Sequence, residues 1–323
     1  MKFILLMCIL FTFTGCNQNH TISYEVEVIT GYEQTYTPSQ FENEDATQNQ
    51  SSRRENEVAE VYIFGFESAD AILITTENYV VMIDTGENQH RDYILRHLVG
   101  QNIYIIDYMI ITHFDRNHVG GAHYLIRNLE VRNIIVPNYS RESRSVERFN
   151  EALLYTESTA DVLTEKITIS LDDAEFAIIP SHLNYFSFGG SDDILTDYEE
   201  DNAPITPLEN DFSIVVHMTH GENNFLFTGD AMAERLSGLL EMEEITNVDF
   251  DFLKVPHHGR RNRRSEEFIN TKNPRYAVIT CCFERPADSR VIDALEYVGA
   301  QIFFTRYGGV LVISNRSSLV IEQ

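Results

Sequence analysis

Short apolar runs separated by polar segments recur along the chain from residue 61 onward. Runs of this length that are rich in Val, Ile, Tyr and Phe are typical of β-strands. Strands are predicted at residues 61–64, 71–74, 79–83, 108–112, 131–136, 177–179, 213–218, 224–227, 252–255, 276–283, 301–304 and 310–313. Helical spacing of apolar positions predicts helices at residues 91–99, 121–128, 231–240, 266–269 and 290–298. Residues 140–166 are polar and compatible with a helix.

Both halves of this pattern mix strands with helices, which indicates a layered α/β fold. Each half also places a carboxylate directly after a strand, at Asp84 and at Asp230. This repetition predicts a pseudo-duplicated sandwich, in which two sheets are covered by helices.

The first 60 residues depart from the pattern. Residues 1–16 have one early lysine and an apolar stretch, which is shorter than the ~20 apolar residues of a lasting transmembrane helix. The stretch fits a secretory signal peptide, and Thr14-Gly15-Cys16 resembles the cleavage box of bacterial lipoproteins. We therefore expect cleavage before Cys16, a lipid anchor on Cys16 and an extracytoplasmic location at the membrane. An ordinary signal peptide with an incidental cysteine is the alternative.

Residues 17–60 are rich in Asn, Gln, Glu, Ser and Thr and show no apolar period. They are predicted to form a polar tether, with one short strand at residues 24–29. Residues 61–323 are then predicted to form one folded domain, since a chain of this length can bury a substantial core.

The chain of 323 residues carries a formal net charge of -26. A protein this acidic has no general field that attracts nucleic acid, although a local basic patch can differ from the average. The four cysteines give no disulfide framework. Cys281 and Cys282 are adjacent within an apolar run, and we expect both to be buried as small hydrophobic residues.

The segment Ile111-Thr-His-Phe-Asp-Arg-Asn-His-Val-Gly-Gly121 carries the densest group of candidate ligands. Residues two apart on an extended backbone point the same way, so His113 and Asp115 can bind one ion. His118 follows at the start of the next helix. Imidazole and carboxylate together suit Zn²⁺ or Mn²⁺.

Three further pieces follow predicted strands: Ile179-Pro-Ser-His182, Phe227-Thr-Gly-Asp230 and Val255-Pro-His-His-Gly259. Each of these pieces alone is weak evidence for a metal site, because a lone histidine on a loop is more often structural. Their recurrence after successive apolar strands favours a shared metal site.

These motifs resemble the metallo-β-lactamase superfamily, and most closely its competence-protein branch, the hydrolase domain fused to DNA-uptake channels. The resemblance extends from about residue 61 to 321 and includes Ile83-Asp-Thr-Gly86, Thr112-His-Phe-Asp115, His118-Val-Gly-Gly121, Thr228-Gly-Asp230 and His257-His-Gly259. It implies an αββα sandwich of two mixed sheets flanked by helices, with a two-metal site at one edge.

The resemblance also implies roles for individual residues. The first ion would be bound by His113, Asp115, His182 and Asp230. The second would be bound by His118, Asp230 and His258; His258 is preferred over His257 because the family ligand directly precedes a small residue. His257 would face the substrate as a proton donor or a phosphate contact. Asp84 would orient a ligand histidine or support its loop.

Asn117 departs from the family pattern, which usually has an aspartate ligand for the second ion at this position. An amide brings no charge and is therefore a poorer ligand for a dication. We expect a weakened second site, or one that fills only when substrate is bound. One or two ions of Zn²⁺ or Mn²⁺ are thus compatible with the sequence.

Two ions that share a water can lower its pKa toward ~7 and generate a nucleophile. Four arginines lie in the segment Arg260-Arg-Asn-Arg-Arg264, directly after the paired histidines. Because guanidinium groups bind phosphate in a bidentate manner, Arg260 and Arg261 are predicted to bind a phosphate ester, either small or polymeric. The alternative is that these arginines pair with surface acids such as Glu266 and Glu267.

Three functions follow from these features. The first is an extracytoplasmic, metal-dependent phosphodiesterase or phosphoesterase. The second is a nuclease of the competence type, which the arginines favour and the net charge opposes. The third is a non-catalytic surface binding lipoprotein with a degenerate metal site, which would bind metal weakly. An acidic insertion at residues 187–209 is either a lid over the pocket or a surface loop. The oligomeric state does not follow from the sequence.

Overall fold

The computed structural model describes residues 58–183 and 209–323. The predicted signal peptide, the predicted tether up to residue 57 with its short strand, and all of the acidic insertion except Glu209 lie outside these residues. The last two residues of the predicted tether belong to a strand instead. The strands are β1 (Ala59–Ile63), β2 (Ala71–Thr75), β3 (Val80–Thr85), β4 (Ile105–Ile110), β5 (Glu130–Pro137), β6 (Asp161–Leu163), β7 (Ile167–Leu171), β8 (Ala174–Ile179), β9 (Val215–His220), β10 (Asn223–Phe227), β11 (Phe252–Lys254), β12 (Tyr276–Ile279), β13 (Gln301–Phe304), β14 (Val310–Ser314) and β15 (Leu319–Glu322).

Helices precede or follow most of these strands. They are α1 (Arg91–Gly100), α2 (Arg116–Val119), α3 (Ala122–Asn128), α4 (Arg144–Thr156), α5 (Ala233–Glu241), α6 (Glu243–Thr246), α7 (Ser265–Lys272) and α8 (Ser289–Tyr297). None of the helices in the described ranges is long and apolar enough to cross a membrane.

The strands form two sheets. The first sheet has the order β15-β14-β1-β2-β3-β4-β5-β6 and the second has the order β13-β12-β11-β10-β9-β8-β7. In the first sheet β3, β4, β5 and β6 are parallel to one another, and in the second β10, β11, β12 and β13 are parallel. Each sheet thus combines a parallel section with antiparallel strands at its other end.

Three apolar layers hold the sheets and helices together, because successive side chains of a strand point to opposite faces. In β2, Ile72 and Ile74 pack between the sheets, where they join Phe176 and Phe225 of the second sheet. Leu73 points the other way, into the layer that contains α1, α3 and α4. A third layer joins the outer face of the second sheet to α5, α7 and α8. The predicted sandwich of two mixed sheets flanked by helices is confirmed.

Each strand and helix predicted within the described residues is present, but several elements were not predicted and one strand ends early. β7 and β15 lie in segments that the sequence did not assign to strands, and residues 140–166 contain β6 after α4. The predicted strand at 276–283 ends at Ile279. Beyond Ile279 the chain leaves the sheet, and the Thr280 hydroxyl donates to Asp70, which directly precedes β2 of the first sheet. Cys281 and Cys282 are buried free thiols.

Candidate metal centre

The carboxyl ends of the parallel strands from both sheets meet at one edge of the sandwich. Asp84 lies within the last two residues of β3, His113 follows β4, and Asp230 follows β10. The 3₁₀ turn Pro256–Gly259 follows β11 and carries both paired histidines. The sheets are joined here by a backbone hydrogen bond in which the Ile214 amide donates to the Thr112 carbonyl at 2.9 Å. Carboxyl ends of parallel strands are a common position for ligand sites in α/β folds.

The backbone at this edge adopts unusual conformations that aim the side chains inward. His257 and His258 have φ values of 47° and 54°, in the left-handed region that costs non-glycine residues energy. Gly259 follows with φ 78°, and a Cβ there would lie 2.6 Å from the Cβ of Ala287. Only glycine therefore fits after the paired histidines. Close packing on both sides holds this turn in its strained form.

Asp230 is the hub of the site. Its side chain is 2% exposed, and its Oδ2 atom lies 3.0 Å from Nε2 of His258 and 3.2 Å from Nε2 of His118. The Nε2 atoms of His113 and His257 lie 4.0 Å from the same oxygen. Four imidazoles thus converge on one buried carboxylate.

Three of these imidazoles are oriented by a hydrogen bond on the opposite nitrogen. Nδ1 of His118 donates to Asp84 at 2.7 Å. The Thr112 hydroxyl donates to Asp84 at 2.7 Å and so accepts from Nδ1 of His113 at 3.0 Å. Each Nε2 atom is left directed toward Asp230. Such outer partners fix the tautomer and the ring direction of metal-binding histidines.

His258 is oriented in the same manner from the second sheet. Its Nδ1 donates to the Thr280 hydroxyl at 2.9 Å, and that hydroxyl donates to Asp70 at 2.7 Å. A buried acid thus orients each histidine. Asp84 orients His118 directly, as predicted, and Asp70 orients His258 through Thr280.

Several buried ligand atoms at the hub have no hydrogen-bond partner. Nε2 of His113, Nε2 of His118 and Oδ1 of Asp230 are all buried without one. Buried polar atoms are almost always satisfied, so this local concentration indicates an absent partner. His113, His118 and Asp230 also place one potential ligand atom each within 4.8 Å of one another. We call these three residues the ligand triad; their nitrogen and oxygen donors fit a borderline divalent cation.

Asp115 lies beside the triad, with its Oδ2 atom 3.7 Å from Nε2 of His113. Its other oxygen accepts from the Arg141 guanidinium, which also contacts Glu209 at 2.9 Å. Burial alone would raise the pKa of Asp115, but the hydrogen bond and charge of His113, together with Arg141, hold that pKa well below its usual range. Asp115 is therefore an ionised carboxylate at the edge of the triad.

The charges at the hub shift the pKa values of its members in opposite directions. Burial favours the neutral forms, but His118 and His258 together hold the pKa of Asp230 well below its usual range. Burial likewise opposes protonation of His118, whereas Asp230 and Asp84 raise the pKa of His118 well above its usual value. Without another cation, the hub therefore tends to hold a proton on His118.

A lysine that the sequence analysis did not select lies beneath the hub. Lys254 is fully buried, and its ammonium group donates to the Gly229 carbonyl at 3.0 Å. It also contacts Asp70 and lies 3.6 Å from Oδ1 of Asp230. Burial lowers the pKa of Lys254, but Asp70 and Asp230 outweigh this and raise it. A single charged residue within an apolar strand is the sequence feature that indicates such a group.

We call Lys254, Asp70, Thr280, His258 and Asn117 the lysine network, because each of them is linked to the next by a contact. The network includes both sheets. Nδ2 of Asn117 donates to the Ser68 carbonyl at 3.0 Å and lies 3.0 Å from Nε2 of His258.

His257 lies at the inner wall of the cavity. Its Nδ1 is 2.9 Å from the Met232 sulfur and its Nε2 is 3.4 Å from Nδ2 of Asn210. Burial lowers the pKa of His257 to about 3, although Asp230 opposes the shift. A neutral imidazole at neutral pH is suited to donate a hydrogen bond to a phosphate oxygen and is poorly suited to donate a proton.

His182 is placed away from the hub, in contrast to its predicted position as a ligand of the first ion. It is exposed, and its ring lies against the backbone of Gly238 in α5, where an added Cβ would come within 2.4 Å of the ring. Burial, and then Arg235, lower its pKa. With its ring against α5, His182 belongs to none of the groups of potential ligand atoms found among the described residues around Asp230.

A cavity of about 430 Å³ opens over the hub. Asp115, Asn117, Asp230, His257 and His258 form part of its floor. Its walls carry arginines from separate parts of the chain, namely Arg116, Arg141, Arg144, Arg260 and Arg285. Only Arg260 of these was predicted from the sequence. Arg141, Arg144 and Arg285 are distant in sequence from the motif histidines, whereas Arg116 lies within the ligand motif and was not selected.

Arg261 differs from its prediction as a substrate-binding residue, because its side chain is directed toward α7. It pairs with Glu266 at 2.7 Å, while Arg263 pairs with Glu234 at 3.2 Å and Arg264 contacts Glu267. These three arginines therefore pair with acidic side chains, which is the alternative that the sequence left open.

The chain is similar in sequence and in fold to known proteins. The sequence profile of the metallo-beta-lactamase superfamily matches residues 64–282, which is more than half of the chain. Among solved structures, the chain is similar to the metallo-beta-lactamase fold protein YhfI from Bacillus subtilis, with a TM-score of 0.51 and 10% identity over 82% of this chain and 100% of that chain. At this identity the likeness concerns the fold alone.

Two curated proteins are similar in sequence. ComE operon protein 3 of Bacillus subtilis is 24% identical over 62% of this chain and 25% of its own length. Recombination protein 2 of Haemophilus influenzae is 24% identical over 65% of this chain and 22% of its own length. The chain thus spans about a quarter of the length of the curated relatives it matches.

Proposed function

The chain belongs to the metallo-beta-lactamase superfamily, and from this premise we propose that it is a metal-dependent hydrolase of phosphate esters, in particular phosphodiesters, that acts outside the cytoplasm. The ligand triad supports the metal dependence. The arginines in the wall of the cavity support the assignment of a phosphate ester as the substrate.

The observation that carries the phosphate assignment is a set of arginines without acidic partners. Within residues 58–183 and 209–323, no carboxylate lies within ion-pair distance of Arg144, Arg260 or Arg285. The chain as a whole has 50 acidic and 24 Lys and Arg residues, so a cavity wall that carries five arginines differs in charge from the chain average. We call these three residues the cavity arginines. Guanidinium groups bind phosphate with charge-assisted hydrogen bonds.

The triad, with Asp115 beside it, would hold a divalent ion, Zn²⁺ or Mn²⁺. Such an ion supplies a Lewis acid and a water activated for attack at neutral pH. The cavity arginines would orient the phosphate and balance its charge, and the neutral His257 would donate a hydrogen bond to one of its oxygens. Asp84 would keep His118 in the tautomer that presents its lone pair.

A nuclease of the competence type is the second candidate, and the similarity to ComE operon protein 3 is the observation that favours it. The net charge of -26 opposes tight binding of a long nucleic acid. A nuclease would bind single-stranded DNA with an affinity that falls steeply with salt, whereas the phosphodiesterase proposed here would hydrolyse small substrates with a shallow salt dependence.

The direct test measures hydrolysis of bis-p-nitrophenyl phosphate by the full chain with Zn²⁺ or Mn²⁺, together with metal content by elemental analysis. Arg260→Ala removes hydrogen bonds to a charged group worth ~1.5–3 kcal/mol. We expect kcat/KM to fall by ~10–100-fold. Arg261→Ala, one residue away but paired with Glu266, is the matched control and should stay within about threefold.

Equal losses in the two variants would contradict the role of the cavity arginines. Tight metal binding without turnover on any phosphate ester would leave a binding protein, and the absence of metal would contradict the hydrolase altogether.

We also propose that Cys16 carries a lipid anchor. The Cys16→Ser variant should move from the membrane fraction to the soluble fraction after expression in a bacterial host, as measured by fractionation and immunoblotting. An unchanged distribution would contradict the anchor and leave the hydrolase proposal intact.

A further inference from the structure

The histidines of the hub differ in how their Nε2 atoms are satisfied. Nε2 of His113 and Nε2 of His118 are buried without a hydrogen-bond partner. Nε2 of His258 has one, because Nδ2 of Asn117 lies 3.0 Å away. The same Nε2 atom lies 3.0 Å from Oδ2 of Asp230, so it lies between a carboxylate oxygen and an amide nitrogen. The amide nitrogen of Asn117 therefore occupies the side of His258 from which a second ion would approach.

The direction of the Asn117 amide is fixed by a second contact. The same Nδ2 group donates to the Ser68 carbonyl at 3.0 Å. Rotating the amide by half a turn would bring its oxygen against that carbonyl, which offers no donor. The backbone carbonyl of Asn117 accepts from the Asp70 amide at 3.1 Å, which holds the residue in place. The side chain thus presents N–H groups, and no oxygen, toward His258.

A protein cation also balances the acids on this side of the hub. The Lys254 ammonium contacts Asp70 and lies 3.6 Å from Oδ1 of Asp230. Asp70, Asp230 and His258 have the spacing of a metal-binding group, but Asp70 is already neutralised by this lysine and accepts from Thr280. No carboxylate other than Asp230 remains there for a second divalent ion among the described residues.

We infer that this site binds one divalent cation, at His113, His118 and Asp230 with Asp115 beside them, and that Asn117 closes the position next to His258 to a second ion. The inference rests on the proposal that the chain binds metal. It specifies that the chemistry of this hydrolase uses one ion, supported by the fixed charge of Lys254.

The chain offers a variant that should reopen the second position. Asn117→Asp replaces an N–H donor with a carboxylate, so that His258, Asp230 and residue 117 could together bind a second ion. Asn210→Asp is the matched control: Asn210 also lines the cavity and lies near His257, so this variant adds the same charge without a contact to His258.

The experiment measures bound Mn²⁺ per full chain by elemental analysis after equilibration with excess metal and desalting. Electron paramagnetic resonance of the Mn²⁺-loaded protein distinguishes isolated ions from a coupled pair. We expect one ion and an isolated-ion spectrum for the wild type and for Asn210→Asp. Asn117→Asp should bind two ions and show a coupled pair.

A coupled pair in the wild type would overturn the inference and leave the metal-dependent hydrolase standing. An Asn117→Asp variant that folds and binds one ion would also overturn it, because Asn117 would not be what closes the position. A wild type that binds no ion would instead contradict the proposed function. If Asn117→Asp does not fold, the wild-type spectrum alone decides between one ion and a pair.

Discussion

Oriented histidines lie on both sides of Asp230, but only those on one side have Nε2 atoms that are free to bind a metal ion. On the side of His113 and His118, oriented imidazoles leave their Nε2 atoms without partners. On the side of His258, an equally oriented imidazole is satisfied by Asn117, and Lys254 supplies the positive charge. The comparison teaches that orientation alone does not make a histidine a ligand. The group that faces the Nε2 atom of a histidine decides whether that histidine is free to bind a metal ion.

The carboxylate that both sides share should show the largest effect. Asp230→Ala removes an oxygen ligand from the triad and leaves the neighbouring imidazoles without a counter-charge. We expect loss of bound metal and a fall in turnover of at least ~10³-fold, which corresponds to about 4 kcal/mol. Elemental analysis and phosphodiester hydrolysis measure the two effects. Retained stoichiometric metal would show that the triad is not the binding site.

Alanine at single histidines distinguishes the two sides. His113→Ala should weaken metal binding by more than the ~10–100-fold typical of losing an outer partner, because its Nε2 atom has no other role. His258→Ala should weaken it by less than ~10-fold, since the Nε2 atom of His258 already contacts Asn117. Isothermal titration with Mn²⁺ measures both. Equal losses would place His258 among the ligands and end the distinction.

Loss of Lys254 should leave the side of His258 with negative charge that a bound metal ion can balance. Lys254→Met leaves Asp70 and Asp230 as like charges in a buried site. We expect the free energy of unfolding to fall by ~3–5 kcal/mol and added Mn²⁺ to restore part of it, as measured by urea denaturation.

The matched control for this variant is Lys272→Met. Lys272 is also fully buried, but its ammonium donates to the Ile245 carbonyl outside the site. Its loss of stability should not respond to metal. A similar metal response in both variants would contradict a role of Lys254 as a substitute for a cation.

A smaller effect is expected from the acid that orients the ligand side. Asp84→Asn keeps the size of the side chain but replaces one acceptor oxygen with an N–H group opposite His118 or Thr112. Metal affinity should fall by ~10–100-fold, with the free energy of unfolding less affected than in Lys254→Met. An unchanged titration curve would show that His118 needs no orienting carboxylate.

The sequence predicted the fold well where apolar runs are long. The runs that became β2, β3, β8 and β10 are bounded by polar residues and were assigned, and the family resemblance is confirmed by the profile match to residues 64–282. β7 has the sequence Ile-Thr-Ile-Ser-Leu, in which alternate residues are polar. It was missed because such a strand has one exposed face and follows a polar segment.

The candidate site was less accessible from the sequence, because it depends on contacts between the sheets. His113, His118 and Asp230 were selected from local motifs. The pairing of Lys254 with Asp70 joins residues far apart in the chain, and no local pattern encodes it. His182 was placed by analogy with a region in which chain length and path vary, and its ring instead packs on Gly238. Arg144 and Arg285 reach the cavity only through the folding of α4 and of the segment before α8.

The triad draws His113 and His118 from the first sheet and Asp230 from the second. A chain in which only one sheet has formed cannot assemble the full set, so the ion should bind only the completed sandwich. Binding to the native state alone adds RT ln(1 + [L]/Kd) to stability, about 2.7 kcal/mol at a metal concentration of 100 Kd. Bound metal would therefore stabilise the finished sandwich relative to every partly folded state that lacks one of the two sheets.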